Sequence, residues 1–121
     1  MSVTVELPWP DKRLSQNARV HWRARGAATK TARERAAHEC LFAGGRFMAI
    51  ETQPRLSWTF HPPNNRRRDI QNVIGSLKAA ADGIADALGI DDSKFLNAWP
   101  EEFAEPIKGG KIVVTITEAS E

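Results

Sequence analysis

Nine residues in mid-chain, Asn64-Asn65-Arg66-Arg67-Arg68-Asp69-Ile70-Gln71-Asn72, carry the densest candidate chemistry in this sequence. Three consecutive arginines offer guanidinium forks suited to phosphate oxygens, and such contacts position a nucleic-acid strand without reading its sequence. An acid, Asp69, follows them directly, and a pair, Asp91-Asp92, stands beyond Gly89. Carboxylates can gather Mg²⁺, which prefers oxygen ligands and keeps several waters, so two or three aspartates suffice. Lys78 could neutralise a transition-state phosphate or a departing oxyanion. Each of these features also has an ordinary structural reading. Asp69 ahead of a helix is a natural N-cap. Asp91-Asp92 after a glycine is common loop chemistry, Lys78 backed by Asp82 four residues on is a solvated pair, and three arginines make a charged surface.

Their order carries more than any one of them. Arg66-Arg67-Arg68-Asp69-Ile70-Gln71-Asn72, then Lys78, Asp82 and Asp91-Asp92, resembles the RusA family of Holliday-junction resolvases, small metal-dependent nucleases of bacteria and their phages. The family pattern is Arg-rich, then Asp-x-Asp-Asn, a lysine, an Asp four residues on, and later an Asp-Asp pair. The opening Leu7-Pro8-Trp9-Pro10 and the closing Gly109-Gly110-Lys111 with Thr115-Ile116-Thr117-Glu118 also fit, so the similarity spans nearly the whole chain.

The resemblance implies an endodeoxyribonuclease dependent on Mg²⁺, with Mn²⁺ able to substitute, that cuts branched DNA and four-way junctions above all. It implies a homodimer, because two symmetric nicks on a symmetric junction call for one site per subunit. Asp69 and Asp92 would be the chief metal-binding and catalytic acids, with Asp91 beside them and Lys78 as the catalytic cation. Arg66, Arg67 and Arg68 would take flanking phosphates. Two positions depart from the pattern. Gln71 stands where the family has its second acid, leaving an amide oxygen as a weaker, neutral ligand. The step from Asn72 to Lys78 is three residues longer than in a well-known family member. A junction-binding protein that no longer cleaves is therefore the alternative, and a basic interaction module without DNA specificity is the third reading.

These residues need elements to hold them. Val3-Thr4-Val5-Glu6-Leu7 alternates as a half-buried strand that Pro8-Trp9-Pro10 must stop. From Asp11 to Gly26 no apolar period is visible, but Lys12, Arg13, Arg19, His21, Trp22, Arg23 and Arg25 follow one another. That segment reads as a long loop. Its cations, Lys12, Arg13 and Arg23 among them, could hold a DNA backbone while Trp22 stacks on an exposed base, or Trp22 could tuck against the sheet. Residues 27–43 predict a helix with Thr29 or Thr31 as cap, a thin apolar face of small residues and Gly44-Gly45 as stop. Arg55 to His61 alternates strictly, with Leu56, Trp58 and Phe60 inward.

From Ile70 the spacing Ile70, Val73, Ile74, Leu77, Ala81, Ile84, Leu88 predicts one long amphipathic helix ending at Gly89. The turn there could bring Asp91 and Asp92 back toward the sheet. Lys94 to Glu102 reads as a weak strand, Pro106 to Gly110 as a hairpin-type turn, and Lys111 to Thr117 as the clearest β-branched strand. The order β-α-β-α-β-β predicts a single two-layer α+β domain, with two main helices on one face of a four-stranded mixed sheet.

The remaining composition narrows the field. At 121 residues, 41% hydrophobic and 26% charged, the chain is of ordinary globular make-up and sized for one core. A net charge of only +2 with clustered arginines points to a directed anionic partner rather than non-specific coating. One cysteine, Cys40, excludes an internal disulfide and gives no zinc spacing. No stretch approaches the roughly 20 apolar residues of a membrane span, and no signal-peptide core stands at the N-terminus, so a cytoplasmic location and no membrane partner are expected. His38 lacks an evident acid partner and is expected to face solvent.

Overall fold

Four strands form one mixed sheet, and the alternation in each strand decides which of its faces is buried. In this computed structural model, residues 2–48 and 53–118 are described; the side chains of Phe47 and Asp92 fall outside that description, as does the expected fraying of residues 119–121. β1 (Ser2–Leu7), β2 (Pro54–His61), β3 (Leu96–Ala98) and β4 (Lys111–Glu118) lie in the order β1-β4-β2-β3. β4 runs antiparallel to both β1 and β2, whereas β2 and β3 are parallel. Val3, Val5 and Leu7 of β1, Leu56, Trp58 and Phe60 of β2, and Ile112, Val114 and Ile116 of β4 are all buried. Period-two patterning therefore assigned the inward faces of β1 and β2 as expected, and β4 buries Ile112, Val114 and Ile116 on the same principle. The α+β architecture and the four-stranded mixed sheet are those the element order predicts.

α1 (Trp22–Phe42), α2 (Ile70–Ser76) and α3 (Lys78–Leu88) share one core with that buried face. α1 meets α3 through small side chains. Gly83 makes the closest approach: a Cβ there would collide with the Arg33 carbonyl oxygen and come within 3.0 Å of Ala36 Cβ. Glycine in a helix interior costs up to about 1 kcal/mol in propensity, and here it lets two backbones pack. Cys40 is buried in that core, and burial pushes its thiol up to about 11.

Several boundaries differ from expectation. α1 begins at Trp22, not at residue 27, and its cap is His21, whose Nδ1 accepts from the Arg23 backbone N–H at 3.1 Å. Neither threonine caps it; Thr29 instead donates to the Arg25 carbonyl. The long helix predicted from Ile70 is interrupted at Leu77 (φ −100°, ψ 3°), so three helices stand where two main ones were expected. The Ser76 hydroxyl donates back to the Asn72 carbonyl, and Leu77 N–H bonds Ile74 O, a tightened turn that re-aims the chain before α3.

The weak strand shrinks to three residues, Leu96–Ala98. Residues 107–110 do turn, with Gly110 N–H bonding Ile107 O, but β3 and β4 are not neighbours because β2 lies between them. The segment is a crossing to the sheet centre, not a hairpin. Gly110 (φ +76°) is required there, since a Cβ would sit 2.7 Å from that of Trp9.

Candidate nucleic-acid interface

β2 delivers the chain into Pro62-Pro63-Asn64, and the three arginines that follow are not equivalent. Asn64 Oδ1 accepts from the Arg66 backbone N–H at 3.0 Å, an Asx turn that begins the bend. Arg68 then reaches back into it. Its Nη1 donates to the carbonyls of Asn64 (2.9 Å) and Arg66 (3.0 Å), its Nη2 donates to Asn64 Oδ1 (2.9 Å), and the guanidinium lies over the Trp9 ring at 5.6 Å. Arg68 is thus the internal fastener of the turn. Arg66 and Arg67 are exposed.

Asp69 caps α2, its Oδ1 accepting from the Gln71 backbone N–H at 3.0 Å. The N-cap reading is realised, and the helix start favours the negative charge held there. Gln71 itself is exposed in the first turn. Asn72 faces a different partner: its Oδ1 accepts from the Ser15 hydroxyl at 3.0 Å. Gln16 covers the next turn, so that a Cβ on Gly75 would come within 2.8 Å of its Nε2. The segment after β1 is therefore docked along α2 instead of looping freely.

That docking builds a cleft of about 550 Å³, lined by Arg66, Arg67, Arg68, Asp69 and Asn72 from one segment and by Trp9, Asp11, Lys12 and Ser15 from the other. Asp11 was not anticipated. It caps the short 3-10 turn Lys12–Leu14 through the Arg13 N–H (2.8 Å) and holds the Arg13 guanidinium at 3.1 and 2.8 Å. The Arg13 side chain, and then its backbone N–H, keep the Asp11 carboxyl ionised down to about 2. The signal in the sequence was the acid two residues ahead of Arg13. What it lacked was any hint that this turn shares a cleft with Asp69. Arg13, expected on DNA, is already engaged by Asp11.

The far end of the helical unit is separate. Asp91 lines another cavity, of about 310 Å³, with Asp82, Asp86 and Arg33. There Arg33 grips Asp86 in a fork at 2.6 and 2.9 Å, which lowers the Asp86 pKa, and Asp91 Oδ1 accepts from the Ser93 N–H. Lys78, at the start of α3, is exposed, lines neither cavity and makes no ion pair with Asp82 among the described residues. Asp92 opens a short 3-10 turn, and its side chain lies outside the described residues. Among the described residues no group of three His, Cys, Asp or Glu side chains could hold a metal ion. The site residues brought together are Asp69, Arg66, Arg67, Arg68 and Lys12, with Asp11 added. Asp91 and Lys78 stand apart from them.

Arg23 belongs to a third place, the head of α1, where its guanidinium lies 5.2 Å from the centroid of the Trp22 ring. Trp22 is 71% exposed, so it is not tucked against the sheet. His38 is exposed, as expected. No helix among the described residues is long and apolar enough to cross a membrane.

No family model matches the chain. A protein of Xylella fastidiosa (strain Temecula1 / ATCC 700964), whose name reads only "Uncharacterized protein", is 42% identical over 116 residues, 94% of this chain and 75% of that one. Identity of that level over nearly the whole chain shows common descent, and the present chain belongs to the same family as this Xylella protein.

Proposed function

We propose that this protein is a RusA-like endodeoxyribonuclease that works as a homodimer in the cytoplasm and nicks branched DNA, four-way junctions above all. One observation carries the reading: an arginine turn, a lysine and two aspartates line a single open cleft at the head of a helix. Arg66 and Arg67 are exposed there and available to phosphates, while Arg68 keeps their turn rigid, so the strand would be held rather than merely attracted. Lys12, in the same cleft as the arginines, would add a further contact to the backbone. Asp69 and Asp11 then stand where a phosphodiester would pass.

Those two carboxylates fit Mg²⁺ in kind, being hard oxygen donors beside an open volume in which the ion could keep its waters. They supply only part of a ligand set. Asp91 lines the separate cavity beyond α3, so only Asp92 is left to complete it, and Gln71 adds at most an amide oxygen. A divalent cation bound there would offset charge on the scissile phosphate and make a water nucleophilic. Asp69 would do double duty, one oxygen on the helix N–H and the other toward the cleft. Lys78, exposed at the head of α3, would stabilise the departing oxygen only if bound DNA reaches it.

The second reading, a junction-binding protein without cleavage, draws on Gln71 and on the lack of a three-acid group among the described residues. Both are tested on one synthetic four-way junction. The nuclease reading expects paired nicks that need Mg²⁺ or Mn²⁺. Tight, junction-selective binding with no nicks in either metal would favour the second. Binding that ignores branching at matched salt would sink both.

A further inference from the structure

The head of α1 carries a feature that the cleft does not use. Trp22 is 71% exposed at the first residue of a 21-residue helix. Its ring stacks on His21 at 5.5 Å between centroids and 28° between planes, and the Arg23 guanidinium lies 5.2 Å from its centroid. The arrangement is fixed from below. His21 Nδ1 accepts from the Arg23 N–H, and Arg25 donates to the carbonyls of Ser15 (3.1 Å) and Ala18 (2.9 Å). Ser15 is itself a wall residue of the cleft, so the first turn of α1 is fastened to the cleft wall.

Resting on the nucleic-acid reading above, we infer that Trp22, flanked by His21 and Arg23, is a stacking platform for an unpaired base of the DNA held in the cleft. The charge around it names the partner. From Lys12 to Arg33 the chain has seven Lys and Arg residues and no carboxylate; Arg19 is exposed, and Arg23 is exposed with its guanidinium over the ring. The helix start adds its own positive end. An indole in such a field suits a ligand that has a π-face and a phosphate at once, which describes a nucleotide out of its duplex. A guanidinium resting on an exposed ring is weakly held, so a base can take its place while Arg23 turns to the adjacent phosphate. Phe42 offers the contrast. It is 77% exposed at the other end of the same helix, where Glu34 and Glu39 stand among Arg35 and Arg46 and leave no run of cations. Exposure alone does not make a base platform.

The test uses fluorescence anisotropy of labelled oligothymidine and of a fully paired duplex. Wild type is compared with Trp22→Ala, Trp22→Phe and Phe42→Ala, each checked for folding by circular dichroism and for oligomeric state by light scattering. Trp22→Ala should bind oligothymidine roughly tenfold more weakly, with duplex affinity and the salt slope unchanged. Trp22→Phe should keep most of the affinity, and Phe42→Ala should match wild type. Equal loss on duplex, or no loss on either, overturns the inference while leaving the nuclease reading intact. A changed oligomeric state in Trp22→Ala also overturns it, since the ring would then face a second copy. Wild type that binds neither oligothymidine nor duplex, and no four-way junction in the assay above, defeats the nuclease reading itself.

Discussion

The two ends of the α2–α3 unit bear the same kind of residue and handle it in opposite ways. At the leading end Asp69 lies at a helix start, where the unpaired N–H groups welcome a carboxylate, and cations surround an open cleft. At the trailing end Asp82, Asp86 and Asp91 line one cavity, with Asp86 and Asp91 near a helix finish, where the unpaired carbonyls oppose negative charge. Arg33 answers that conflict with its fork on Asp86. One end leaves its carboxylate beside an open, cation-lined cleft, and the other has one of its three carboxylates taken up by an arginine of the protein itself. An aspartate beside a helix is therefore not a site until its partners are known.

The sharpest way to probe the contrast is to remove one acid at each end. Asp69→Asn should cut junction cleavage by 100-fold or more while binding holds or improves, because a carboxylate that repels phosphate is gone. Asp92→Asn should do the same if the ends cooperate in one site. Single-turnover nicking and gel-shift affinity measured together decide it. Full activity in Asp92→Asn would confine the chemistry to the leading cleft and leave Asp11 as the second acid to test.

Next in size are the arginines. Arg66→Ala with Arg67→Ala should weaken binding to every branched substrate alike and lower the slope of log affinity against log salt by roughly 2. Adding Arg68→Ala should change that slope little, because Arg68 is spent on Asn64 and Arg66. It should instead lower the melting temperature of the turn region. A slope that falls by a further unit would mean Arg68 leaves its turn to meet DNA.

A smaller effect is expected at Gln71. Gln71→Asp should lower the metal concentration for half-maximal cleavage several-fold and help most in Mg²⁺, which depends most on charged oxygen ligands, while the parent should work better in Mn²⁺. An unchanged metal titration would place Gln71 outside the metal shell.

The smallest effect is at the braced end. Arg33 and Asp86 are about half exposed, so Arg33→Ala should cost only about 0.5 kcal/mol in chemical denaturation. The sign follows from the lowered Asp86 pKa. Its contribution is present above the ordinary carboxylate value of 3.8 and fades as pH falls through the lower folded value. The difference between parent and Arg33→Ala should therefore close on acidification. A gap that persists at the lowest pH would mean packing, not charge, is what Arg33 contributes.

What the sequence determined by itself are features set by neighbours within a few residues. Alternation placed the inward faces of β1 and β2, because a side chain's face in a strand depends only on its parity. Asp69 as cap and Gly89 as stop were equally local, since capping bonds span two or three residues and a left-handed end needs glycine (φ +70°).

Other features were decided by partners far along the chain. The first turn of α1 has no apolar period to announce it; it is held by the Arg25 fork on the segment before it. The break at Leu77, beside a helix turn covered by Gln16, is invisible to a periodicity that continues straight through it. The place of β4 between β1 and β2 makes residues 106–110 a crossing, and turn chemistry alone cannot tell a crossing from a hairpin. The same holds for the candidate site. Three adjacent arginines look alike until the fold spends one of them on its own turn. Asp11 stands 58 positions before Asp69, and only the docking of Ser15 on Asn72 sets the two on one cleft, because the cleft is a product of packing and not of spacing.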